Sequence, residues 1–390
     1  MTTSSTVSAA TTAAKAAFTA ATATTPAFTP RAVFEISSNT PRSYFLGHQH
    51  AALSRMQTVL SNIGLVVECR DFRVPVTSWN PLLESTLIAS SDRPRARIIA
   101  YTKRDLGPTG AEGKAVANSL AAFHARRGQS AVFLGGPSGL SGRGGLLDVI
   151  KRVAREHDSL TGLRALVVGM PNTGKSTLLN NLRAQGMGMG KVARTGAHPG
   201  VTRKLSTPVR IVPKEEEDYI DDPGAKLGRV GEGVFIMDTP GVFVPYLHDA
   251  ESMLKLALVG CVKPGLVPHV TLADYLLFHL NRHDPALYAR YGPPTNEVHE
   301  FLEGVARRTG KLAKGGGPSL EAAADWIVQQ WRGGELGRFV LDDVDDERLR
   351  LAAEEKADPP VSMTQRRKME KEARKARHLA KRMEGSQKAA

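Results

Sequence analysis

Eight residues near the middle of the chain, Gly169-Met170-Pro171-Asn172-Thr173-Gly174-Lys175-Ser176, fit the pattern GxxxxGK[ST]. Such a loop can wrap phosphate: Gly169 and Gly174 let the backbone turn so that its N–H groups face an anion. A helix beginning at Lys175 adds positive potential at its amino end. Lys175 can reach β- and γ-phosphates, and the Ser176 hydroxyl can bind Mg²⁺. Pro171, Asn172, Thr173 and Thr177 complete the candidate nucleotide-binding loop. A chance match in a glycine-rich chain is the competing reading. The apolar run Ala165-Leu166-Val167-Val168 before the loop and the helical pattern after it oppose that reading.

Asp238-Thr239-Pro240-Gly241 stands about 60 residues further on, at the end of the apolar run Val234–Met237. An acid there can hold the same Mg²⁺, and the Gly241 N–H can meet a γ-phosphate. Alone, the tetrapeptide could equally be an ordinary turn. Between the two lies Pro199-Gly200-Val201-Thr202-Arg203. The Thr202 hydroxyl can complete the metal shell, although a plain Pro-Gly turn has the same residues.

Thr102-Lys103-Arg104-Asp105 follows the apolar run Ile98–Tyr101. It has the form of a guanine-reading NKxD motif. A carboxylate at Asp105 would accept from guanine N1–H and the 2-amino group, a donor pair that adenine lacks. The Lys103 methylenes can lie along the base. Thr102 replaces the usual Asn, so a carboxamide that ties loops together is missing and weaker guanine affinity is expected. As an isolated tetrapeptide the segment reads equally well as a solvated basic loop.

These residues need a sheet to carry them. Leu65–Cys69, Arg97–Tyr101, Ala131–Leu134, Ala165–Val168 and Val234–Met237 read as strands. Helical spacing recurs over Ser43–Ile63, Glu112–Arg127, Leu146–Glu156 and from Lys175. Strands alternating with helices predict an α/β domain with a parallel-rich sheet, over residues 40–245. Strand signals fade after Pro245. Glu251–Leu258, Leu272–Leu280, Asn296–Arg307 and Leu320–Trp331 predict a smaller α-helical domain over 246–340. Residues 341–390 read as an acidic linker and a basic tail, the latter with ten Lys/Arg against three Glu from Thr364 onward.

Lys and Arg exceed Asp and Glu to give a net charge of +13, which favours a polyanionic partner, nucleic acid or an acidic membrane surface. The two cysteines, Cys69 and Cys261, lie in apolar stretches without a CxxC, which argues against disulfides and structural zinc. No apolar run is long enough to predict a membrane span. Residues 1–35 start with a Thr/Ala/Ser-rich stretch in which Lys15 is the single base before Arg31 and Glu35 the first acid. That is the composition of an import signal, and also of a disordered tail.

Motif order is the distinguishing feature. TKRD precedes the phosphate loop by about 65 residues, whereas Ras-like GTPases place it after DTPG. In this the chain resembles the circularly permuted YlqF/YawG GTPases, which act in ribosome assembly. Tyr44-Phe45-Leu46-Gly47-His48 is similar to that family's F-x-G-H-M segment, with Gln49 in place of Met. Val67-Glu68-Cys69-Arg70-Asp71-Phe72-Arg73-Val74-Pro75, followed by Asn80-Pro81, resembles its V-x-E-V-x-D-A-R-x-P…N-P block. Leu256–Lys263 resembles the opening of its helical domain. The likeness covers roughly residues 40–300.

The resemblance implies slow GTP hydrolysis that rises on the ribosome. Val242 stands where Ras-like enzymes carry a water-orienting Gln and cannot take that role. The family's histidine at this place makes His48 the candidate, alongside Lys175 and Thr202, for catalysis. Ser176, Thr202 and Asp238 are the Mg²⁺ candidates, and Asn172 implies K⁺ as a second cofactor. A transit-like start and basic tail imply the mitochondrial branch: GTP and GDP as ligands, the large mitoribosomal subunit and its rRNA as partner, and the matrix as compartment. Peripheral contact with the inner membrane is a further expectation. The family's second guanine-side loop falls in Ser130–Gly139 without an assignable residue. Two other readings stay open: a regulatory GTP-binding module, and an RNA-binding scaffold with little hydrolysis.

Overall fold

Alternation of apolar side chains along the strands decides the layering. The computed structural model describes residues 28–44, 47–89, 95–135, 145–193, 195, 196, 200, 202, 205–214, 230–244, 246, 247, 249–357, 367, 370–372 and 374. Six strands, β1 (Leu65–Asp71), β2 (Ala96–Thr102), β3 (Ser130–Phe133), β4 (Leu163–Gly169), β5 (Val209–Val212) and β6 (Val234–Asp238), form one sheet in the order β3-β2-β1-β4-β6-β5. All neighbours are parallel except the edge pair β5–β6. Helices α1 (Gly47–Val59), α2 (Pro81–Ala89), α3 (Gly110–Arg126), α4 (Leu146–His157) and α5 (Lys175–Met187) cover it. Ala165 and Val167 of β4 pack with Leu146 and Ile150 of α4 and Leu178 and Leu182 of α5. Their neighbours Leu166 and Val168 point the other way, onto Ala52, Leu53 and Met56 of α1. The expected α/β fold is therefore present.

The chain winds outward from β1 through β2 to β3, returns to β4 beside β1, runs out to the edge strand β5 on the opposite side and comes back to β6, between β4 and β5. The β1/β4 boundary is the topological switch point, where open α/β sheets leave a crevice beyond the strands' carboxyl ends. TKRD follows β2, the glycine-lysine loop follows β4, and DTPG begins at the end of β6. All three motifs thus reach the same edge of the sheet.

Four helices follow: α6 (Ala250–Leu258), α7 (His269–His283), α8 (Val298–Thr309) and α9 (Leu320–Arg332). Their core of Tyr275, Tyr288, Trp331 and Phe339 runs on into Val74, Met170 and Phe243 from the loops at the sheet edge. The helical part therefore sits directly on the motif-bearing loops.

Several expectations need correction. Residues 28–35 are not a loose tail: Phe34 packs edge-on against Tyr275, with ring centroids 5.1 Å apart, and Arg31 donates to Asp274 at 2.5 Å. The rest of the proposed import segment, residues 1–27, lies outside the described residues. Strand β5 and helix α2 carried too few residues to show a period and were not expected. The acidic stretch after Leu341 is not a linker. It forms α10 (Asp346–Ala357), which buries Leu349 and Ala352 and packs against α3. Most of the basic tail lies outside the described residues; Arg367, Glu370, Lys371, Glu372 and Arg374 are helical and exposed.

Asp342 explains why this acidic segment is anchored. Its carboxylate accepts from the backbone N–H of Val76 (2.9 Å) and Thr77 (2.7 Å) and from the Thr77 hydroxyl (2.6 Å). Lys255 lies 3.4 Å away. Asp342→Ala leaves these donors unpartnered in a nearly closed site, at a cost of about 2–4 kcal/mol. A thermal melt should show a drop of roughly 5–15 °C; a change within 1–2 °C would contradict this anchoring role.

Candidate nucleotide site

Glycine is required where the phosphate loop leaves β4. Gly169 has φ +145°, and a Cβ there would stand 2.4 Å from the Cys69 carbonyl of β1. Gly174, at φ +86°, turns the chain into α5. Asn172 holds φ +57°, a left-handed conformation that Asn tolerates better than most residues. Lys175 is buried and donates to the Met170 carbonyl at 2.7 Å, while the Thr173 hydroxyl donates to the same carbonyl at 2.8 Å. Burial lowers the Lys175 pKa. The Asp238 charge opposes that lowering, and a buried ammonium beside the loop suits an anionic ligand.

Three oxygen-bearing side chains converge beside it. The Ser176 hydroxyl donates to Asp238 Oδ2 at 2.5 Å and lies 3.0 Å from the Thr202 hydroxyl. Thr202 also donates to Asp238 Oδ2, at 3.5 Å. Asp238 Oδ1 is buried with no hydrogen-bond partner among the described residues, and burial raises the acid's pKa. Hydroxyl and carboxylate oxygens around an orphaned carboxylate atom suit a hard divalent cation. The three residues fit Mg²⁺, and Ser176, Thr202 and Asp238 are those that would hold it. Gly241 packs so closely on Pro171 that a Cβ there would lie 2.6 Å from the Pro171 backbone.

The base-side loop is tied to the phosphate loop. Lys103, at φ +57°, donates to Asp71 Oδ2 and to the Asn172 carbonyl, both at 2.8 Å. The Thr102 hydroxyl donates to the Thr173 carbonyl at 2.8 Å. A tie between the two loops is thus present despite the missing carboxamide, made by the threonine hydroxyl. Asp105 is exposed in a single helical turn, Arg104–Leu106. Lys103 and Leu106 line the cavity but Asp105 does not. Burial lowers the Arg73 pKa, but Asp71 outweighs it and raises it, and the Asp105 charge is near enough to add to that rise. The loop after β3 abuts it: Arg104 N–H donates to the Leu134 carbonyl at 2.9 Å, and a Cβ on Gly135 would lie 3.0 Å from Asp105 N. The remainder of the Ser130–Gly139 loop, from 136, lies outside the described residues.

His48 stands in the first turn of α1, but its side chain lies outside the described residues. Its neighbour Gln49 is buried and accepts from the Phe243 N–H at 3.1 Å. This explains the departure from Met: the carboxamide pins the start of α1 to the segment after DTPG. Val242 is fully buried in the layer beneath α1 and turns no side chain to the cavity.

The cavity holds about 320 Å³ and is lined by Pro171, Asn172, Gly174, Lys175, Ser176, Thr177, Thr202 and Gly241 from the expected set. Arg73, Val259, Gly260, Gln329 and Arg332 also line it and were not anticipated. Arg73, Val259 and Gly260 lay within quoted blocks, so their presence could have been noticed. Gln329 and Arg332 belong to α9, and their place depends on docking that spacing cannot reveal. Asn172 Nδ2 donates to the Gly260 carbonyl at 2.8 Å, so the phosphate loop is bonded directly to the helical part.

A phosphate loop after β4, a metal-binding acid after β6 and a base-side lysine after β2 define a GTPase whose motifs are circularly permuted. The profile of a family described as 50S ribosome-binding GTPase matches residues 164–307. Mitochondrial GTPase 1 of Schizosaccharomyces pombe is 35% identical over 338 residues, covering 83% of this chain and 95% of the relative. Mitochondrial ribosome-associated GTPase 1 of Mus musculus is 29% identical, covering 80% and 93%. Ribosome biogenesis GTPase A of Bacillus cereus is 26% identical, covering 77% and 93%. The chain belongs to the family of Mitochondrial GTPase 1, GTPases of the YlqF type, and it hydrolyses GTP.

Proposed function

We propose that this GTPase acts in assembly of the large mitochondrial ribosomal subunit, within the matrix, with rRNA as its polyanionic partner. The convergence of Ser176, Thr202 and Asp238 beside Lys175 supports the catalytic part of this reading. The printed names of the relatives support the ribosomal part. Residues 40–245 carry the nucleotide and 246–340 form the helical partner domain. The basic tail contacts rRNA, a peripheral contact with the inner membrane is allowed by the same charge, and residues before 28 direct import. Among the described residues no helix is long and apolar enough to cross a membrane.

In this mechanism Lys175 Nζ leaves the Met170 carbonyl for a β- or γ-phosphate oxygen. Ser176, Thr202 and Asp238 would hold Mg²⁺, which would supply positive charge against the charge developing on the phosphates. Thr202, on the segment between the phosphate loop and DTPG, is the candidate γ-phosphate sensor. Gly241 N–H meets the γ-phosphate, and His48, held near by the Gln49 anchor, orients the attacking water. Asn172 is the ligand for K⁺. Asp105 swings against guanine as the base enters between the loops after β2 and β3.

Turnover of GTP and ATP, with and without large subunits, in K⁺ and in Na⁺, tests this reading. GTP hydrolysis stimulated by the subunit and by K⁺ is the expected result; equal rates under all conditions would overturn it. Asp105→Asn should exchange guanine for xanthine preference, with GTP affinity falling about 10²-fold or more. Fluorescent GTP and XTP titrations read this directly, and unchanged preference would remove Asp105 from the site.

A further inference from the structure

The nucleotide cavity has a wall that the phosphate and base motifs do not supply. It comes from α9 and from the turn after α6. Arg332, the last residue of α9, donates through Nε to the Leu258 carbonyl (2.9 Å) and through Nη2 to the Ala257 carbonyl (2.8 Å). Those bonds fix the guanidinium against the carboxyl end of α6, where free carbonyls attract a cation. They use one edge of the fork. Nη1 makes no hydrogen bond among the described residues, and Arg332 lines the cavity. A Cβ on Gly260 would lie 3.8 Å from that Nη1, and the Gly260 carbonyl holds Asn172 of the phosphate loop. Arg332 is therefore fixed close to the outer side of the loop that cradles phosphate.

Arg73 stands on the same wall. Its Nε and Nη2 are bound to Asp71, its guanidinium lies 5.0 Å over the Trp331 ring of α9, and its buried Nη1 has no hydrogen-bond partner among the described residues. Two guanidinium groups thus stand at one cavity wall: that of Arg332, with Nη1 unused, and the buried one of Arg73 behind it. Clustered arginines in a half-closed site repel each other, and an anion between them relieves that cost. The phosphate chain of the nucleotide is the anion this cavity admits.

We infer that Arg332 is a nucleotide-binding residue that contacts the phosphate chain, so that the helical part completes the GTP site rather than only responding to it. This rests on the reading of the cavity as the GTP site. Gly260 belongs to the same arrangement: its φ of +84° favours glycine, and a Cβ there would stand in ordinary contact with the Arg332 guanidinium, 3.5 Å away.

The test uses the full chain with fluorescent GDP and GTP analogues and the variants Arg332→Gln and Arg332→Lys. Gln keeps a donor for the α6 carbonyls and removes the charge; Lys keeps the charge. The Gln variant should bind both nucleotides about ten- to a hundredfold more weakly, and the Lys variant should recover part of the loss. Affinity is referred to the folded fraction measured by circular dichroism. Equal affinities in all three proteins would overturn the proposal. Should both variants fail to fold, wild-type protein supplies the answer through phenylglyoxal labelling of Arg332, read by peptide mass spectrometry. Saturating GDP should slow that labelling about tenfold while guanosine leaves it unchanged. Labelling indifferent to GDP would sink the proposal, as would equal protection by guanosine. Failure of the wild type to bind GDP at all would instead sink the reading of the cavity.

Discussion

Lys175→Ala should lower GTP turnover by about 10²–10³-fold and leave the melting temperature of the nucleotide-free protein nearly unchanged. The two outcomes follow from one geometry. Lys175 is buried, its hydrogen bond goes to the Met170 carbonyl, and burial disfavours its charge. Deleting it removes a desolvated cation along with one bond, so the losses and gains to the apo fold nearly cancel. With GTP present the balance changes. The ammonium is then the closest fixed positive charge to the transferring phosphoryl group, in a site where charge interactions are weakly screened. The stabilisation that saturating nucleotide confers, about 2.7 kcal/mol at a hundred times Kd, should also shrink. Differential scanning fluorimetry across a GTP series and single-turnover hydrolysis measure both parts. A variant with wild-type turnover, or one that loses stability without nucleotide, would contradict this account.

Asp71→Ala should be the most damaging single change to the fold and the site together. The side chain is fully buried at the end of β1. It accepts from Arg73 Nε, Arg73 Nη2 and Lys103 Nζ, at 3.0, 2.8 and 2.8 Å. Removing one member of such a buried cluster strands the cations, at a cost of about 3–5 kcal/mol. The melting temperature should fall by roughly 6–20 °C. Lys103 then loses the partner that holds it across the Asn172 carbonyl, so nucleotide affinity should fall as well.

The same cluster sets a pH dependence. Burial alone would raise the Asp71 pKa, but Arg73 and Lys103 outweigh it and hold the carboxyl well below the usual range. Glu68, between Arg70 and Arg97, is likewise lowered, to about 2. Acids whose folded pKa lies below the unfolded one add stability above the unfolded value. That contribution is complete above about pH 5 and is lost as pH falls from about 4 towards 2. Urea melts between pH 6 and pH 3 should show this decline in the wild type and a shallower one in Asp71→Asn. Parallel curves would argue against the cluster as the cause.

Much of the architecture was readable from periodicity, and the reasons differ by element. Leu65–Val67 and Ala165–Val168 are apolar on both sides because helices cover both faces of the sheet, so they stand out as continuous runs. Val209–Val212 pairs along one side only, with Arg210 turned outward, and four residues carry little signal. Helix α10 buries mainly Leu349 and Ala352, too narrow a stripe to distinguish it from solvated acidic chain. Within the site, the candidates for phosphate and metal were legible because a phosphate loop constrains its own backbone and spacing. Thr102 was read as a lost tie because residue type alone does not show its hydroxyl reaching the Thr173 carbonyl. The place of Arg332 at the cavity was hidden because it arises from how α9 docks beside a loop about 160 residues away in sequence.

The segment from Thr29 to Tyr44 limits how the chain can be trimmed. Asn296 Nδ2 donates to the Thr29 carbonyl at 2.9 Å, Arg31 pairs with Asp274, and Phe34 closes over Tyr275 and Phe278. A peptidase cutting beyond Phe34 would bare two stacked rings and abandon an aspartate on α7. A truncation that keeps the helical part intact must therefore start before Thr29.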